Sequence, residues 1–173
     1  MSKIYRIVRY DWPLHFVLLF TNWLPDNIIF IRIRGFLASF FFGKCGKNLR
    51  VGRNNIFYNP KDIYIGSDVY MAHNNWFCAG GTIRIDNQVL IGPYNCFVAA
   101  AHSKVNNSYR YGAESKLDIE IGFGSWITSH CVISGGTALG NGVMLGANSF
   151  AKGKLDDDSF YAGSPAVKKQ NNR

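Results

Sequence analysis

Residues 119–151 read IEIGFGSWITSHCVISGGTALGNGVMLGANSFA, and an aliphatic side chain recurs in this stretch at every sixth position. The anchors of this repeat are Ile121, Ile127, Ile133, Leu139 and Leu145, and Ala151 continues their phase. A spacing of six residues matches neither the 3.6-residue period of a helix nor the simple alternation of a strand. The pattern therefore indicates a hexapeptide repeat, in which each unit is one short strand and one tight turn.

A fainter copy of the repeat lies upstream. Its anchors are Ile65, Met71 and Phe77, followed two residues out of phase by Ile85, Ile91 and Phe97. We interpret residues 79–82 as a two-residue insertion at a corner and residues 102–118, where the repeat disappears, as an excursion loop. Three hexads make one triangular coil, so we expect each anchor to stack on the anchor three hexads further along. The sequence predicts an all-β solenoid of about five to six coils over residues 49–167.

Residues 1–48 form a different segment, in which apolar and aromatic runs are interrupted by charges and prolines. None of these runs reaches the roughly 18 residues that a membrane-spanning helix needs. The basic, aromatic pattern also continues past the point where a signal peptide would be cleaved. Short helices with Lys or Arg beside aromatic side chains suit contact with an anionic lipid surface. A helical lid packed on the solenoid is the alternative, and the two can hold together.

The formal net charge of +8 is concentrated at the two ends of the chain. Residues 1–53 carry nine Lys or Arg and two Asp, a net charge of +7, whereas residues 54–163 have a net charge of −2. The basic tail, residues 168–173, adds +3. A near-neutral repeat region without a basic stripe argues against a nucleic-acid partner. The four cysteines form no CxxC pair, which favours free thiols and a cytoplasmic protein.

Three pieces of the sequence carry a resemblance to a known family. They are residues 91–93 (IGP) leading to Ala101-His102, the block 119–151, and residues 163–166 (GSPA). With these pieces the chain closely resembles the hexapeptide-repeat acyltransferases, which fold as left-handed parallel β-helices. Residues 22–25 (NWLP) and 33–35 (IRG) are similar to bacterial polysaccharide O-acetyltransferases. The resemblance implies acetyl transfer from acetyl-CoA to a sugar hydroxyl, without a metal, in a homotrimer with sites between subunits.

The implied reaction needs a general base, because a sugar hydroxyl is a poor nucleophile until its proton is removed. Imidazole titrates near neutral pH and suits that task. His102 matches the position of the family's catalytic histidine and is the predicted base, acting by direct transfer in a ternary complex. A backbone N–H is expected to stabilise the oxyanion. Glu114 and Asp118 are both candidates to orient the imidazole.

The resemblance also implies the residues that bind the two substrates. Trp126, Ser129 and Ala147 match positions that line the pantetheine arm of CoA, and Lys152, Lys168 and Lys169 are expected near its phosphates. The acceptor-binding residues are predicted to be His73, Asn74 and Asn75. Two alternatives stay open, since Trp126 can be a subunit-packing aromatic and the lysines a solvated tail.

Other functions remain open at this stage. The acceptor can be a free sugar, an amino sugar or an antibiotic instead of a polysaccharide. A non-catalytic β-helical scaffold is a further alternative, including a zinc-dependent relative that resembles a carbonic anhydrase. That relative needs several histidine ligands, and no two histidines of this sequence show metal-ligand spacing. If residues 1–48 bind lipid, the protein is expected on the inner face of the cytoplasmic membrane.

Overall fold

The structure, a computed structural model, describes residues 2–169. The end of the predicted basic tail, residues 170–173, lies outside the described residues. The chain begins with a helix in which Lys3–Arg6 (α1) passes through a π-helical turn at Ile7–Asp11 into Trp12–Thr21 (α2), and Ile28–Ser39 (α3) follows. Between residues 2 and 169, no helix has the length and apolar character needed to cross a bilayer.

From residue 44 onward the chain winds as a parallel β-solenoid with three short strands in each coil, and we number its faces in the order in which the chain reaches them. The first face stacks Lys44–Cys45, Ile63–Ile65, Ile83–Ile85, Ile119–Ile121, Ala138–Leu139 and Lys154–Leu155. The second face stacks Arg50–Val51, Tyr70–Met71, Leu90–Ile91, Trp126–Ile127, Met144–Leu145 and Phe160–Ala162, and ends with the antiparallel strand Val167–Lys169. The third face stacks Ile56–Tyr58, Trp76–Cys78, Cys96–Val98, Val132–Ser134 and Phe150–Ala151.

This architecture confirms the predicted solenoid with a helical N-terminal segment. The excursion loop is an antiparallel hairpin, Ala100–His102 with Glu114–Lys116, that leaves the corner between the third and the first face. The structure draws the boundaries of the solenoid differently from the sequence. Its first strand begins at Lys44, because this residue pairs with Tyr64, and Val167–Lys169 pairs with Phe160–Ala162 instead of forming a free tail.

The prediction that anchors stack three hexads apart is correct only for the middle coils, where Ile121 pairs with Leu139. The early coils are longer than three hexads, as the pairing of Ile65 with Ile85 shows. The last coil is shorter, because Leu139 pairs with Leu155. The corner after the third face absorbs these differences. In the first coil it holds the short 3-10 helix Pro60–Asp62, so the insertion expected at residues 79–82 occurs twice.

The core of the solenoid is built from the inward-pointing anchors, which are almost completely buried. Phe57, Phe77 and Phe97 stack on one another with ring centroids 4.9 and 4.5 Å apart. Each buried large apolar side chain contributes roughly 1.5–3 kcal/mol, and no single coil can bury its anchors without its neighbours. This interdependence makes the solenoid a rigid support for groups at its corners.

The helical segment is fastened to the first coil by Arg34, whose side chain is completely buried. Its guanidinium donates hydrogen bonds to the Asp26 carboxylate at 2.9 Å, the Val51 carbonyl at 2.8 Å and the Thr21 carbonyl at 2.9 Å. At the next position, Gly35 brings α3 so close to the coil that a Cβ there would overlap the carbonyl of Leu49. The expectation of a helical layer packed on the solenoid therefore agrees with these contacts.

Candidate functional site

The predicted base, His102, is the last residue of its strand and its side chain is exposed. The root of the hairpin is held by Ala99, whose carbonyl accepts hydrogen bonds from the backbone N–H of Gly81 at 2.6 Å and of Leu117 at 3.2 Å. Beyond His102, the N–H of Ser103 donates to the carbonyl of Ala113 at 3.0 Å. An ordered two-stranded ribbon thus presents the imidazole to solvent.

The two carboxylates near His102 have different surroundings. Asp118 is occupied, because its Oδ1 accepts a hydrogen bond from the N–H of Thr82 at 2.7 Å and so closes the base of the hairpin. Glu114 lies directly opposite His102 in the antiparallel register. Side chains at such positions have Cβ atoms about 4.5–5.5 Å apart. Glu114 is therefore the nearer carboxylate in register, but its Oε1 lies beside Gly80, and no hydrogen bond or ion pair joins it to His102 in the described part of the chain.

Two of the residues predicted for the pantetheine arm share one corner of the solenoid. Ser129 and Ala147 lie between the second and the third face in successive coils, joined by a hydrogen bond from the N–H of Asn148 to the carbonyl of Ser129 at 3.0 Å. Trp126 points outward from the second face between Leu90 and Met144 and is 42% exposed. The three residues thus lie on adjoining surfaces, Ser129 and Ala147 at the corner and Trp126 on the second face before it.

The three lysines predicted for the CoA phosphates are dispersed. Lys152 is exposed at the corner that follows the third face. Lys168 and Lys169 lie on the antiparallel strand that ends the second face. Lys168 forms a salt bridge with Asp156 at 3.2 Å, and this hydrogen bond and charge hold the pKa of Asp156 below its usual value. Lys168 is thus already paired, whereas Lys152 and Lys169 form no salt bridge with a described residue.

The predicted acceptor residues separate into a buried and an accessible part. Asn75 is 1% exposed and belongs to a ladder of side-chain amides: it donates to the Ala72 carbonyl at 2.8 Å and accepts from the N–H of Asn95 at 2.8 Å. Because its polar atoms are satisfied inside the solenoid, Asn75 cannot contact an acceptor, and this part of the prediction is withdrawn. His73 and Asn74 are half-buried and remain available at the same corner as Ser129.

A stack of rings at this corner was missed by sequence analysis. The ring of Tyr94 lies parallel to that of His130 at 5.0 Å and meets His73 edge-on at 5.5 Å. Tyr94 and His130 both have positive φ, at a corner position that Asn54, Asn74 and Asn148 occupy in other coils. In the sequence, the stack is indicated only by a Tyr and a His at turn positions where other coils have asparagine. These positions can be aligned only when the length of each coil is known.

The predicted site residues thus form two half-sites at opposite edges of the third face. His102 and Lys152 lie at the edge toward the first face, and Ser129, Ala147 and His73 lie at the edge toward the second. Three surface recesses have volumes of 610, 570 and 440 Å³, and none of the three is lined by His102.

The four cysteines lie wholly or partly buried in the solenoid. Burial raises the pKa of the Cys45 thiol to about 11, and burial also raises the pKa values of Cys78, Cys96 and Cys131. All four thiols are free and poorly suited to act as nucleophiles. Within residues 2–169, no group of three or more His, Cys, Asp or Glu side chains is arranged to hold a metal ion.

Comparison with known proteins gives relatives of one kind. Galactoside O-acetyltransferase of Escherichia coli (strain K12) is 28% identical over 135 residues, which cover 78% of this chain and 66% of that protein. A putative lipopolysaccharide biosynthesis O-acetyl transferase of the same strain is 28% identical over 126 residues, or 69% of this chain and 63% of that protein. The chain thus spans less than two thirds of the length of either relative. No family model matches the chain.

A solved structure extends the similarity to nearly the whole chain. The hexapeptide-repeat containing acetyltransferase of Vibrio cholerae, crystallised with acetyl-CoA, superposes with a TM-score of 0.83 at 25% sequence identity, covering 98% of this chain and 89% of that chain. A parallel β-solenoid built from six-residue units defines the class, that of the hexapeptide-repeat proteins. Together with the relatives above, it makes the chain similar in sequence and in fold to hexapeptide-repeat acetyltransferases.

Proposed function

We propose that this chain is an acetyl-CoA-dependent O-acetyltransferase that modifies a sugar hydroxyl of a surface polysaccharide or of its lipid-linked precursor. The observation that carries the proposal is His102, exposed at the end of an ordered hairpin with Glu114 directly opposite it. The acceptor class is supported by the two Escherichia coli relatives, one named for galactosides and the other for lipopolysaccharide biosynthesis.

In the proposed reaction, neutral His102 accepts the proton of the acceptor hydroxyl while that oxygen attacks the thioester carbonyl. Collapse of the tetrahedral intermediate breaks the carbon–sulfur bond, and the imidazolium of His102 returns its proton to the departing thiolate of CoA. The products are an acetyl ester and free CoA, and the base is regenerated. Glu114, opposite His102 in the hairpin, turns toward the imidazole and holds it in position in this proposal.

We further propose that the site is completed by a neighbouring subunit of a homotrimer. The outward side chains of the third face are largely apolar, and Ile56, Tyr58 and Trp76 are 51%, 53% and 36% exposed in the single chain. Both half-sites lie at the edges of this face. When it turns toward a threefold axis, the apolar side chains become buried, and the His102 edge of one subunit meets the Ser129 edge of the next.

Mixing two inactive variants tests whether the site is shared. His102→Ala removes the base from one edge, and Ala147→Phe blocks the proposed pantetheine corner at the other. Each variant alone is expected to be inactive. Co-expressed in equal amounts, they should recover about one quarter of wild-type activity, since random trimers place an intact pair of edges at that fraction of interfaces. No recovery, with mixed trimers demonstrated by affinity tags, would show that each site belongs to one chain.

The activity itself is tested by release of CoA thiol from acetyl-CoA across a panel of methyl glycosides, amino sugars and aminoglycosides, followed by mass spectrometry of the products. We expect thiol release with a neutral sugar and a product heavier by one O-linked acetyl group. Acetylation of an amine only would replace the O-acetyl proposal with an N-acetyl one. A trimer that binds acetyl-CoA but releases no thiol with any acceptor would indicate a scaffold.

The proposed compartment is the cytoplasm, with peripheral contact to the inner face of the cytoplasmic membrane. Acetyl-CoA is a cytoplasmic metabolite, and the four free thiols suit a reducing environment. Lipid-linked glycan precursors present their sugars at that membrane, so a peripheral enzyme would meet its acceptor there.

A further inference from the structure

The two longer helices each carry a second apolar stripe on the side opposite to their buried one. In α2, Leu14, Leu18 and Thr21 face the solenoid and are buried. In α3 the buried positions are Ile31, Arg34, Gly35 and Ala38. An ordinary surface helix has polar residues opposite such a stripe. In both helices of this chain, the side opposite the buried stripe is also apolar, which indicates that a partner covers it.

The outward stripes have the same spacing in both helices. On the first, the outward residues are Trp12, Phe16, Leu19 and Trp23, of which Trp23 follows the end of α2. On the second they are Ile29, Ile33, Phe36 and Phe40, of which Phe40 caps α3. Both sets follow the spacing i, i+4, i+7 and i+11, which at about 100° per residue points one way. Their exposed fractions run from 43% at Ile33 to 78% at Trp23.

The outward stripes belong to a layer that is held rigidly at one end of the solenoid. Arg34 and Gly35 fix α3 on the first coil, and the N–H of Asn54 donates to the side chain of Asn22 at 3.1 Å just beyond α2. The stripes therefore do not rotate inward to bury themselves. They stay exposed at the margin of the first coil, where Trp12 and Leu19 line a recess shared with residues 54–58, and Phe36 and Phe40 line one shared with residues 46–49.

The charge around the stripes identifies the partner. Residues 1–53 have a net charge of +7, and Asp26, one of the two acidic residues in this range, forms a salt bridge with Arg34. A groove of 440 Å³ beside the second stripe is lined by Phe36 and Phe40 together with Arg32 and Lys47. Neither cation forms a salt bridge with a residue in the described range 2–169. Cations beside aromatic side chains match the headgroup and acyl boundary of an anionic bilayer, whereas a second copy would bring like charges together.

We propose that the two outward stripes form a membrane-docking face that seats the N-terminal end of the solenoid on anionic lipid. Threefold symmetry along the solenoid axis, which rests on the proposed trimer, would place three such faces on the same side and multiply the affinity. His102 follows the third coil from this end. Coils about 4.8 Å apart and a helix about 10 Å thick then place it roughly 20 Å above the lipid. The acceptor is therefore a sugar anchored in the same membrane through a short linkage.

Co-sedimentation of the full chain with vesicles tests the docking face. We expect binding to phosphatidylglycerol–phosphatidylcholine vesicles and little binding to phosphatidylcholine alone. Phe36→Gln/Phe40→Gln should weaken binding at least about tenfold, because two aromatic side chains lose their insertion. Tyr109→Gln/Tyr111→Gln in the hairpin loop is the matched control, since these two rings are as exposed but lie away from the helices. The control should bind as wild type does.

Three further readouts separate the outcomes. All variants should keep the wild-type melting temperature within a few degrees, and Trp23 fluorescence should shift to the blue on binding. Wild-type binding that survives the Phe36→Gln/Phe40→Gln change would overturn the proposal. If the wild type does not bind vesicles and the Phe36→Gln/Phe40→Gln variant sediments as a smaller oligomer than the wild type, the stripes are an interface between copies. This result would overturn the proposal equally.

An activity measurement connects the docking face with the acceptor. The best methyl glycoside from the acceptor panel is compared with its long-chain alkyl glycoside in anionic vesicles. Phe36→Gln/Phe40→Gln should lower kcat/KM for the vesicle-borne acceptor at least about tenfold and leave that for the soluble acceptor unchanged. Equal losses on both would contradict membrane docking as the cause. If no sugar is acetylated, the proposed enzyme function fails, while the vesicle experiment still decides the docking face.

Discussion

Replacing His102 with Ala is expected to lower kcat for acetyl transfer by about 10²–10⁴-fold while leaving the dissociation constant for acetyl-CoA unchanged. The reason is that the imidazole lies exposed at the end of an ordered ribbon. Of the two neighbouring carboxylates, Glu114 lies opposite His102, and Asp118 accepts a hydrogen bond from the backbone. Thiol release measures turnover, and calorimetry measures acetyl-CoA binding.

The matched control for this prediction is His15→Gln. His15 is also an exposed histidine, but it lies on α2, which carries none of the predicted site residues. The control should retain turnover to within a few fold. Turnover by His102→Ala close to that of wild type would exclude His102 as the base. A parallel loss of acetyl-CoA binding would instead mean that His102 contributes to the cofactor half-site.

Replacing Arg34 with Met is expected to destabilise the protein by about 1.5–3 kcal/mol, the usual contribution of hydrogen bonds made by a buried charged group. The guanidinium is 0% exposed and joins Asp26 to backbone carbonyls of α2 and of the first coil. Methionine fills a similar volume but removes the guanidinium donor from the carbonyls of Thr21 and Val51. Asp26 keeps the backbone N–H and the guanidinium of Arg53 as partners. Urea unfolding measures the change in free energy.

Arg32→Met serves as the control, because Arg32 lies two residues away on the same helix with its side chain exposed. Its free energy of unfolding should change by no more than about 0.5 kcal/mol. Hydrogen exchange should also show faster exchange in residues 12–39 of the Arg34→Met protein than in the later coils, because the helical layer loses its fastening. A loss below about 1 kcal/mol for Arg34→Met would mean that apolar packing alone holds this layer.

Much of the fold could be predicted from the sequence because the repeat is a local property. Any coil that turns every six residues makes Ile121 and Leu139 anchors, so the burial of each can be predicted from its position in the repeat. The two-residue insertion at residues 79–82 could be predicted, because it shifts the anchor phase between Phe77 and Ile85. The shorter last coil could not be predicted, because the six-residue spacing ends at Ala151.

The site could be predicted less completely, because its chemistry depends on which coils lie side by side. His102 could be assigned from the short motif around it, and its exposure is compatible with that role. The burial of Asn75 could not be predicted, because the sequence around a turn asparagine is the same whether its amide faces solvent or joins a buried ladder of amides. The stack of Tyr94 on His130 joins residues on either side of the hairpin and leaves no local pattern.

By itself the sequence determined the solenoid, the position of the projecting hairpin and the distribution of charge to the ends, since each follows from local spacing or composition. The tertiary structure alone decided the length of the last coil, the burial of Asn75 and Arg34, and the placement of the predicted site residues at opposite edges of the third face. It also decided that the helices expose a second apolar stripe, because a helix with apolar residues on two sides can bury either one. Arg34 and Gly35 settle that choice by fixing which side of α3 meets the first coil.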